Sequence, residues 1–294
     1  MNKPQLYQTS NGPLKEDSEQ QITKIAKRLL QFRPEGGDTF IDIGCGPGDV
    51  SINYIYPLMP ENFGKLVFTD VSLEMLDFFK NTYQIPNKCE LKLLDIATKT
   101  QLPSDLVGQF DHVISALLLH WVPDNRTALR NMFKLLRPSG GDCILTFFSY
   151  HNVFETNKIM SSNPKWSQYM TVDVDRFVAP LQYSPNPKEE FKQMMEETGF
   201  SNISIDIKHG IYRYDNLEVF KESIIPVCGI FDCIPKSRHL EFIDDYCKVM
   251  TETAAKKRGI SLQEALLTMA ADMIVVYAQK LPSQAIAYNE INNN

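Results

Sequence analysis

Short apolar runs and longer amphipathic stretches alternate along the first half of the chain. The apolar runs, rich in β-branched residues, predict strands at 39–43, 65–69, 90–94, 112–116 and 142–148. The stretches between them predict helices near 49–57, 73–82 and 125–136. Because alternating strands and helices are typical of parallel crossover units, we expect a doubly wound α/β sheet.

The pattern changes after residue 150. The stretch 150–187 is rich in Asn, Ser, Pro and aromatic residues, which favours a short helix and loops packed as a lid over a cleft. The later segments predict a helix at 187–198 ended by Gly199, a strand at 202–208, a mostly helical region at 216–269 and a closing strand at 273–278. We therefore expect a mostly parallel, seven-stranded sheet with a mainly helical cap.

The composition is that of an ordinary globular chain. Of the 294 residues, 43% are apolar and 22% are charged, which is enough for a full core. The net charge of -6 argues against a broadly basic nucleic-acid surface and favours a small-molecule substrate. No apolar run is long enough for a leader or a membrane span, so we expect a cytoplasmic protein without a membrane partner. The six scattered cysteines predict reduced thiols and no metal site.

A glycine-rich turn follows the first predicted strand. Its residues of interest are Asp42, Gly44, Cys45, Gly46 and Gly48. Such a turn lets the backbone pass close to a ligand, at the start of the next helix. The dinucleotide fingerprint places its third glycine three positions after the second, whereas these glycines are evenly spaced, which disfavours NAD. An anionic Asp49 would also repel a pyrophosphate, while Asp42 suits a cationic cofactor.

Acidic residues follow the next two predicted strands. Asp70 is positioned to accept hydrogen bonds from both ribose hydroxyls of an adenosine, and Asp95 to accept one from the adenine amino group, with Ile96 packed on the ring. Taken singly, each aspartate is equally typical of a strand-end turn or a helix cap. Because the carboxyl ends of parallel strands meet in one crevice, the combination predicts an adenosine-type cofactor.

These features resemble the class I methyltransferase pattern, and longer segments resemble one family, the insect juvenile hormone acid O-methyltransferases, over nearly the whole chain. The segments are Leu6-Tyr7, Ser10-Asn11, Leu94-Asp95-Ile96, Phe110-Asp111-His112-Val113, Leu119-His120-Trp121, Gly140-Gly141-Asp142-Cys143 and Glu197-Thr198-Gly199-Phe200. The resemblance implies a Rossmann-like fold and S-adenosyl-L-methionine as the cofactor, with Val71 and Ser115 among its contacts. It also implies methyl esterification of a terpenoid acid of the juvenile hormone acid or farnesoic acid type.

The residues that follow the fourth predicted strand are candidates to orient this substrate. A carboxylate is already ionised at neutral pH, so its SN2 methylation needs positioning and exclusion of water, and no general base. The indole N–H of Trp121 is a donor only, which suits a carboxylate oxygen, and His120 precedes it. We assign the catalytic positions to Trp121 and His120; the alternatives are a lid or core tryptophan and a structural histidine.

The resemblance further implies three segments. Residues 1–34 are an arm and helix covering the active site, residues 35–149 the cofactor-binding core, and residues 150–294 the rest of the sheet with the cap. This arrangement brings Tyr7 and Asn11 to the substrate. The alternative is an arm that only flanks the fold.

Three positions depart from the family pattern. Members carry a polar amide where this chain has Leu14, and aromatic residues where it has Ala116 and Leu117. Leu14 and Leu117 are therefore substrate-binding candidates. Since Leu14 donates no hydrogen bond, a carboxylate would lose a partner, at a cost of about 1.5–3 kcal/mol.

Candidates to line a tunnel for an isoprenoid chain are Phe147, Phe148, Trp166, Tyr169, Phe177 and the run 224–227.

Other functions stay open on the residues alone. The altered positions are compatible with a different small-molecule acceptor, such as an amine, a phenol or another acid. A catalytically silent relative would bind S-adenosyl-L-methionine and transfer no methyl group. A dehydrogenase would have to bind NAD despite the glycine spacing. The sequence leaves a monomer and a homodimer equally open.

Overall fold

The computed structural model describes residues 3–10 and 12–282 of the chain. Within them, one sheet contains β1 (Thr39–Ile43), β2 (Lys65–Asp70), β3 (Cys89–Leu93), β4 (His112–Ala116), β5 (Gly141–His151), β6 (Ser201–Arg213) and β7 (Thr268–Lys280). The strand order is β3-β2-β1-β4-β5-β7-β6, and β7 is the strand that runs antiparallel to its neighbours. The predicted doubly wound, mostly parallel seven-stranded sheet is confirmed.

The strand predictions hold better in the first half of the chain than in the second. β1 and β4 have the predicted bounds, β2 ends one residue later than predicted, and β3 begins and ends one residue earlier. β6 and β7 are longer than predicted, with 13 residues each, and they pair over most of that length, with a register shift between Ser201 and Ser204. β6 lies at the edge of the sheet, where outward-facing polar residues obscure the apolar pattern of a strand.

The helices of the described residues lie mostly where the amphipathic stretches predict them. They are α1 (Pro4–Ser10), α2 (Gly12–Leu29), α3 (Leu73–Thr82), α4 (Asn125–Leu135), α5 (Asn152–Ser162), α6 (Pro187–Thr198), α7 (Leu217–Ile224), α8 (His239–Arg258) and α9 (Leu262–Ala265). Ser72 caps α3, and Gly199 ends α6 as predicted, with a φ of 107°. None of these helices has the combination of length and apolar character that crossing a bilayer requires.

Two predicted helical regions differ from the expectation. The helix predicted near 49–57 contains a π-helical segment, Ser51–Ile55, followed by a 3-10 turn, Tyr56–Leu58. Segments of π-helix are frequently found at functional sites, and this one directly follows the glycine turn. The region 216–269 is not continuously helical, because turns separate α7 from α8 and α8 from α9.

Apolar side chains cover both faces of the sheet, as parallel strands require. On one face Phe40 of β1 lies in a cluster with Phe79 of α3 and with residues of α2. On the other face Ile41 lies in a cluster with Leu129 of α4 and Phe191 of α6. Successive residues of β1 therefore point to opposite sides, and the helices on both sides keep the strand ends in a fixed position.

A third apolar cluster forms the cap. Trp166, Phe220 and Phe242 are fully buried in it, between α5, α7, α8 and the ends of β5, β6 and β7. The predicted lid at 150–187 contains α5 and short 3-10 turns and belongs to this cluster. Leu14 of α2 and Leu117, which follows β4, belong to it as well. The cap, the arm and the cofactor half of the sheet therefore meet at one place.

A buried charge network lies at the amino ends of β1 and β4. Nδ1 of His112 is 2.7 Å from Oδ1 of Asp142, its Nε2 is 3.3 Å from Oδ1 of Asp38, and its ring stacks on Phe40. Burial lowers the pKa of His112, but hydrogen bonds to Asp142 and Asp38 and their negative charges more than offset this effect. The pKa of His112 therefore lies above its usual value of 6.5.

This shift predicts that the free energy of unfolding falls as the pH rises above 6.5. A histidine whose pKa is raised by folding contributes stability that is fully present below its unfolded pKa and is lost as the pH passes through the folded pKa. We expect His112→Gln to cost about 1–3 kcal/mol at pH 6 and less at pH 9, measured by urea unfolding.

The quantity to compare is the difference between the two proteins at each pH. Burial raises the pKa values of Asp42 and Glu19 to about 7, and these carboxyls also weaken stability with rising pH, equally in both proteins. A difference that stays constant between pH 6 and pH 9 would contradict a charged His112.

Candidate active site

The glycine turn after β1 forms one wall of the candidate cofactor site. The amides of Gly44 and Cys45 both donate to the carbonyl oxygen of Thr69 in β2, at 2.8 and 2.9 Å. Gly44, Gly46 and Gly48 have φ values of 80°, 54° and 91°, a region that glycine adopts without strain. The even glycine spacing therefore corresponds to three backbone positions that favour glycine.

The three glycines differ in what surrounds them. A Cβ on Gly44 would lie 2.8 Å from the side chain of Leu118, and a Cβ on Gly48 would overlap the ring of Phe79. At Gly46 no atom lies within 4 Å of such a Cβ. Gly44 and Gly48 thus permit close packing, whereas Gly46 presents bare backbone to open space that a ligand can approach closely.

Asp70 at the end of β2 faces this turn. Its Oδ2 accepts a hydrogen bond from the Gly46 amide at 3.0 Å, and its Oδ1 accepts one from the Ser72 amide at 2.9 Å. Burial raises the pKa of Asp70, while these two amides oppose the rise. Since a carboxylate offers about four acceptor positions, Asp70 keeps acceptor capacity for a ligand. Val71, which follows, is 64% exposed and provides an apolar surface beside them.

Other predicted cofactor residues lie nearby with different surroundings. Asp95 is exposed, and its Oδ1 accepts a hydrogen bond from the Ala97 amide at 2.9 Å, so it forms the strand-end turn that was the alternative for it. The side chain of Ile96 is buried in the core cluster beneath α4. The hydroxyl of Ser115 donates to the carbonyl oxygen of Ile43 at 2.7 Å and links β4 to β1.

Asp42 and Cys45 lie beneath the turn. Asp42 is 1% exposed, and its Oδ2 accepts a hydrogen bond from the Ser51 hydroxyl at 2.5 Å. Burial raises its pKa to about 7, with the Ser51 hydrogen bond opposing the rise. Cys45 is also buried, and burial raises the pKa of its thiol well above the usual value. Both side chains are buried and support the backbone of the turn from below. Contact with a ligand is therefore left to the exposed atoms of the turn.

Taken together, the turn fits an adenosine-type cofactor. Gly46 offers unobstructed backbone, Asp70 offers unused carboxylate acceptors, and Val71 offers an exposed apolar surface. These are the groups that a nucleoside with two ribose hydroxyls and a flat ring requires. The roles of the individual residues remain predictions.

A buried ion pair links the N-terminal arm to the turn. Nζ of Lys15 in α2 donates to Oδ2 of Asp49 at 2.6 Å and to the carbonyl oxygen of Tyr7 in α1 at 2.9 Å. Burial lowers the pKa of Lys15, and the charge of Asp49 opposes this. Because Lys15 neutralises Asp49, the expectation that Asp49 repels a pyrophosphate is not supported. The glycine spacing is then the observation that disfavours NAD. The sequence contains no signal for this pair, since most helical lysines are solvated.

Tyr7 connects the arm to both halves of the site. Its ring lies 4.6 Å from Nζ of Lys15. Burial, followed by the negative charges of Asp49 and Asp70, raises the pKa of its hydroxyl. Helix α1 packs against α3 of the core and α7 of the cap. The arm therefore lies beside the cofactor turn and the cap at once.

A small apolar cavity of about 30 Å³ lies between the arm, the end of β4 and the cap. It is lined by Tyr7, Leu14, Leu117, His120, Trp121, Phe148, His151, Val153, Phe154 and Val227. The first five are the residues that the sequence predicts at the substrate, and the structure brings them together. Asn11, also predicted there, lies outside the described residues. Leu118, next to Leu117, meets Gly44, so the cavity adjoins the cofactor turn.

Trp121 has an unusual hydrogen-bonding state. Its indole Nε1 is buried and has no hydrogen-bond partner among the described residues. Trp166 provides the contrast, because its Nε1 donates to Oδ2 of Asp245 at 3.1 Å. A buried N–H without a partner costs about 1–3 kcal/mol, so it calls for an explanation. An acceptor group on a bound ligand would provide one.

His120 lies beside Trp121 in the cavity wall, with ring centroids 5.1 Å apart. Its Nδ1 accepts a hydrogen bond from the Phe148 amide at 3.3 Å, so in the neutral ring the proton is on Nε2. Burial, with a smaller effect of His151, holds the pKa of His120 well below 6.5. His120 is therefore a neutral hydrogen-bond donor at neutral pH.

Leu117 is in a strained backbone conformation. Its φ is 54°, a left-handed region that bulky residues rarely adopt, and its amide donates to the Thr146 carbonyl at 2.7 Å. Such strain costs about 1–3 kcal/mol and is concentrated at functional sites. The conformation directs Leu117 to the cavity, whereas its neighbour Ala116 packs against the cluster on the α3 face of the sheet.

Most of the residues predicted to line a tunnel are located elsewhere. Phe148 and Val227 line the cavity. Phe147 packs instead on Phe191 of α6, with ring centroids 4.7 Å apart, because consecutive residues of β5 face opposite sides of the sheet. Trp166 is fully buried within the cap.

Comparison with known proteins identifies related sequences along nearly the whole chain. A family model described as a methyltransferase domain matches residues 41–160. The juvenile hormone acid O-methyltransferase of Drosophila melanogaster is 34% identical over 282 residues, which cover 96% of this chain and 93% of that enzyme. The Bombyx mori enzyme of the same name is 35% identical over 283 residues, covering 96% and 98%.

Solved structures agree on the fold. The YcgJ protein of Bacillus subtilis has a TM-score of 0.56 at 15% identity and covers 90% of this chain and 99% of its own. The CurJ carbon methyltransferase has a TM-score of 0.51 at 20% identity, covering 95% of this chain and 57% of its own. The full-length similarity to the two insect enzymes shows that the chain belongs to the juvenile hormone acid O-methyltransferase family of class I methyltransferases, a family that implies S-adenosyl-L-methionine as co-substrate.

Proposed function

We propose that this methyltransferase esterifies the carboxylate of a terpenoid acid of the juvenile hormone acid or farnesoic acid type. The observation that carries the proposal is the buried indole N–H of Trp121, which has no partner among the described residues and belongs to the wall of an apolar cavity. A carboxylate oxygen is an acceptor that would satisfy it, and the apolar walls suit a hydrocarbon chain. The two insect relatives are named for activity on such an acid, which supports a role in juvenile hormone biosynthesis.

The proposed reaction depends on orientation. S-adenosyl-L-methionine, when bound, supplies an electrophilic methyl group. Trp121 and the neutral His120 donate hydrogen bonds that position the substrate carboxylate, and no lysine or arginine lines the described cavity wall. Neutral donors orient the carboxylate without cancelling its charge, so it keeps its nucleophilicity. Tyr7, Leu14 and Leu117 exclude water from the reacting groups.

The cofactor residues divide by their surroundings. We assign direct contact to those with open space or unused acceptors: Gly46, Asp70, Val71 and Asp95. We assign support of the turn to those already engaged within the protein: Asp42, Gly44, Cys45, Gly48, Ile96 and Ser115.

The test is an assay of the purified protein with S-adenosyl-L-methionine against matched acceptors. The panel contains juvenile hormone acid, farnesoic acid, linear fatty acids, farnesol and an aliphatic amine, with products identified by mass spectrometry. Methyl esters of the terpenoid acids are expected. Methylation of the amine or alcohol alone would indicate another acceptor class, and cofactor binding without any product would indicate a silent relative.

The substitution Leu14→Gln tests the departure from the family pattern. We expect it to raise kcat/KM for farnesoic acid by about tenfold, because the amide supplies a hydrogen bond to a charged group. Leu14→Met is the matched control, since methionine has similar volume and no donor. No gain with glutamine over methionine would mean that residue 14 does not reach the carboxylate.

A further inference from the structure

A second histidine lines the cavity, and neither the sequence motifs nor the proposed mechanism uses it. His151 is the last residue of β5 and the N-cap of α5, and it is 5% exposed. It lies in the cavity wall with His120 and Trp121. Its ring packs on those of Phe148 and Phe154, with centroids 5.2 and 5.9 Å apart.

A β-bulge accounts for the position of His151. In a regular strand, residues three positions apart point to opposite faces, so Phe148 and His151 would diverge. The register between β5 and β7 shifts between Phe148 and Tyr150, at Ser149. This irregularity lets both side chains reach the cavity. Bulges are frequent next to active sites, where they redirect a side chain.

Hydrogen bonds define the orientation and the tautomer of His151. Its Nδ1 accepts from the Val153 amide at 3.1 Å, so in the neutral ring the proton is on Nε2. Its own amide donates to Oε1 of Gln182 at 3.0 Å, which holds the backbone from the other side. His151 and His120 thus share one arrangement, in which Nδ1 receives a backbone amide and Nε2 carries the proton.

Helix capping alone does not explain a histidine here. Ser, Thr, Asp and Asn are the preferred N-cap residues, and any of them would satisfy the Val153 amide at less cost in buried volume. Residues that break such a local rule are often found at functional sites. Val153 and Phe154 in the first turn of α5, an 11-residue helix, also line the cavity, so the positive end of the helix dipole lies at the cavity wall.

We propose that the Nε2–H of His151 donates a hydrogen bond to the substrate carboxylate, as a third donor beside Trp121 and His120. This role rests on the proposed carboxylate substrate. It adds a donor to a cavity in which Leu14 provides none. The carboxylate is then held by three neutral N–H groups and a helix terminus, without a formal positive charge.

The surroundings of His151 keep its ring neutral. Burial lowers its pKa to about 3. Among the described residues, the titratable groups that line the cavity with it are the Tyr7 hydroxyl from α1 and the His120 imidazole from the segment after β4, and Glu155 lies in the first turn of α5. Glu155 accepts a hydrogen bond from the Tyr183 hydroxyl. KM for the acid is therefore expected to be constant between about pH 6 and 8, whereas a KM that rises through pH 6.5 would overturn the proposal of a neutral donor.

The substitution His151→Ser separates the two roles of the residue. Serine keeps an N-cap acceptor for α5 but places no donor in the cavity. We expect Kd and KM for the acid to rise about tenfold or more, with Kd for the methyl ester of the same chain unchanged. An equal loss for acid and ester would show a purely structural role and overturn the proposal. His209→Ser, at a side chain 67% exposed, is the control and is expected to change neither constant.

A second variant keeps the donor role testable if His151→Ser does not fold. His151→Asn also caps α5 and carries an amide N–H, so it is expected to recover part of the affinity for the acid. If asparagine binds the acid no better than serine does, the donor role is wrong.

Calorimetric binding of acid and ester to the wild-type protein distinguishes the proposed esterification from the proposed donor role of His151. Failure to esterify any acid rejects the proposed function, whereas selective acid binding that His151→Ser abolishes still supports the donor.

Discussion

Replacing Trp121 with phenylalanine is expected to lower kcat/KM for a terpenoid acid by about tenfold to a hundredfold, because one hydrogen bond to a charged oxygen contributes about 1.5–3 kcal/mol. Phenylalanine keeps an aromatic ring against Phe154 and removes the N–H donor that has no partner in the described protein. The free protein loses no hydrogen bond, so its free energy of unfolding should change far less than its activity. Steady-state kinetics and urea unfolding of the same preparations measure both quantities.

The second tryptophan provides a matched control. Trp166→Phe also removes an indole N–H, but this one donates to Asp245 within the cap. We expect Trp166→Phe to lower the free energy of unfolding by about 1–3 kcal/mol and to leave KM for the acid nearly unchanged. If both variants lose stability and activity in parallel, Trp121 is a packing residue and its role as substrate donor is wrong.

Replacing Asp70 with alanine is expected to weaken binding of S-adenosyl-L-methionine by tenfold or more, since a charge-assisted acceptor of two ribose hydroxyls is lost. The amides of Gly46 and Ser72 lose their acceptor in the same step, which adds to the effect through the glycine turn. Asp70→Asn keeps one acceptor oxygen and should bind with intermediate affinity. Isothermal titration calorimetry with the cofactor measures all three proteins.

The control for Asp70 is an acidic residue that forms an ion pair at the surface. Asp105 forms an exposed ion pair with Lys92 of β3, and Asp105→Ala should leave cofactor affinity unchanged. Wild-type affinity in Asp70→Ala would reject the assignment of the ribose contact to β2 and would reopen the question of which strand end binds the nucleoside.

Local signals explain why the cofactor half of the molecule can be predicted from sequence. The apolar runs of β1 and β4 have the observed bounds because a buried parallel strand must be apolar on both faces. The positive φ values of Gly44, Gly46 and Gly48 are properties of the turn itself. The length of the edge strand β6 is greater than the sequence predicts, because only one of its faces is buried.

The direction of a side chain at a strand end is harder to predict from the sequence. Ile96 and Ser115 lie at the edge of the sheet that the sequence predicts, yet one packs into the core and the other donates to a backbone carbonyl. Strand position determines where a residue lies along the sheet. The neighbours that it meets there determine whether it can reach a ligand.

By itself, the sequence determined the sheet, the glycine turn and the residue types around the substrate, because strand periodicity, turn conformation and strand-end chemistry are encoded over a few neighbouring residues. Only the tertiary structure decided that Lys15 neutralises Asp49, that a bulge brings His151 beside His120, and that the Trp121 N–H has no partner among the described residues. These properties depend on segments far apart in the chain. Whether a buried polar group is satisfied is known only when every neighbour that packs around it is known.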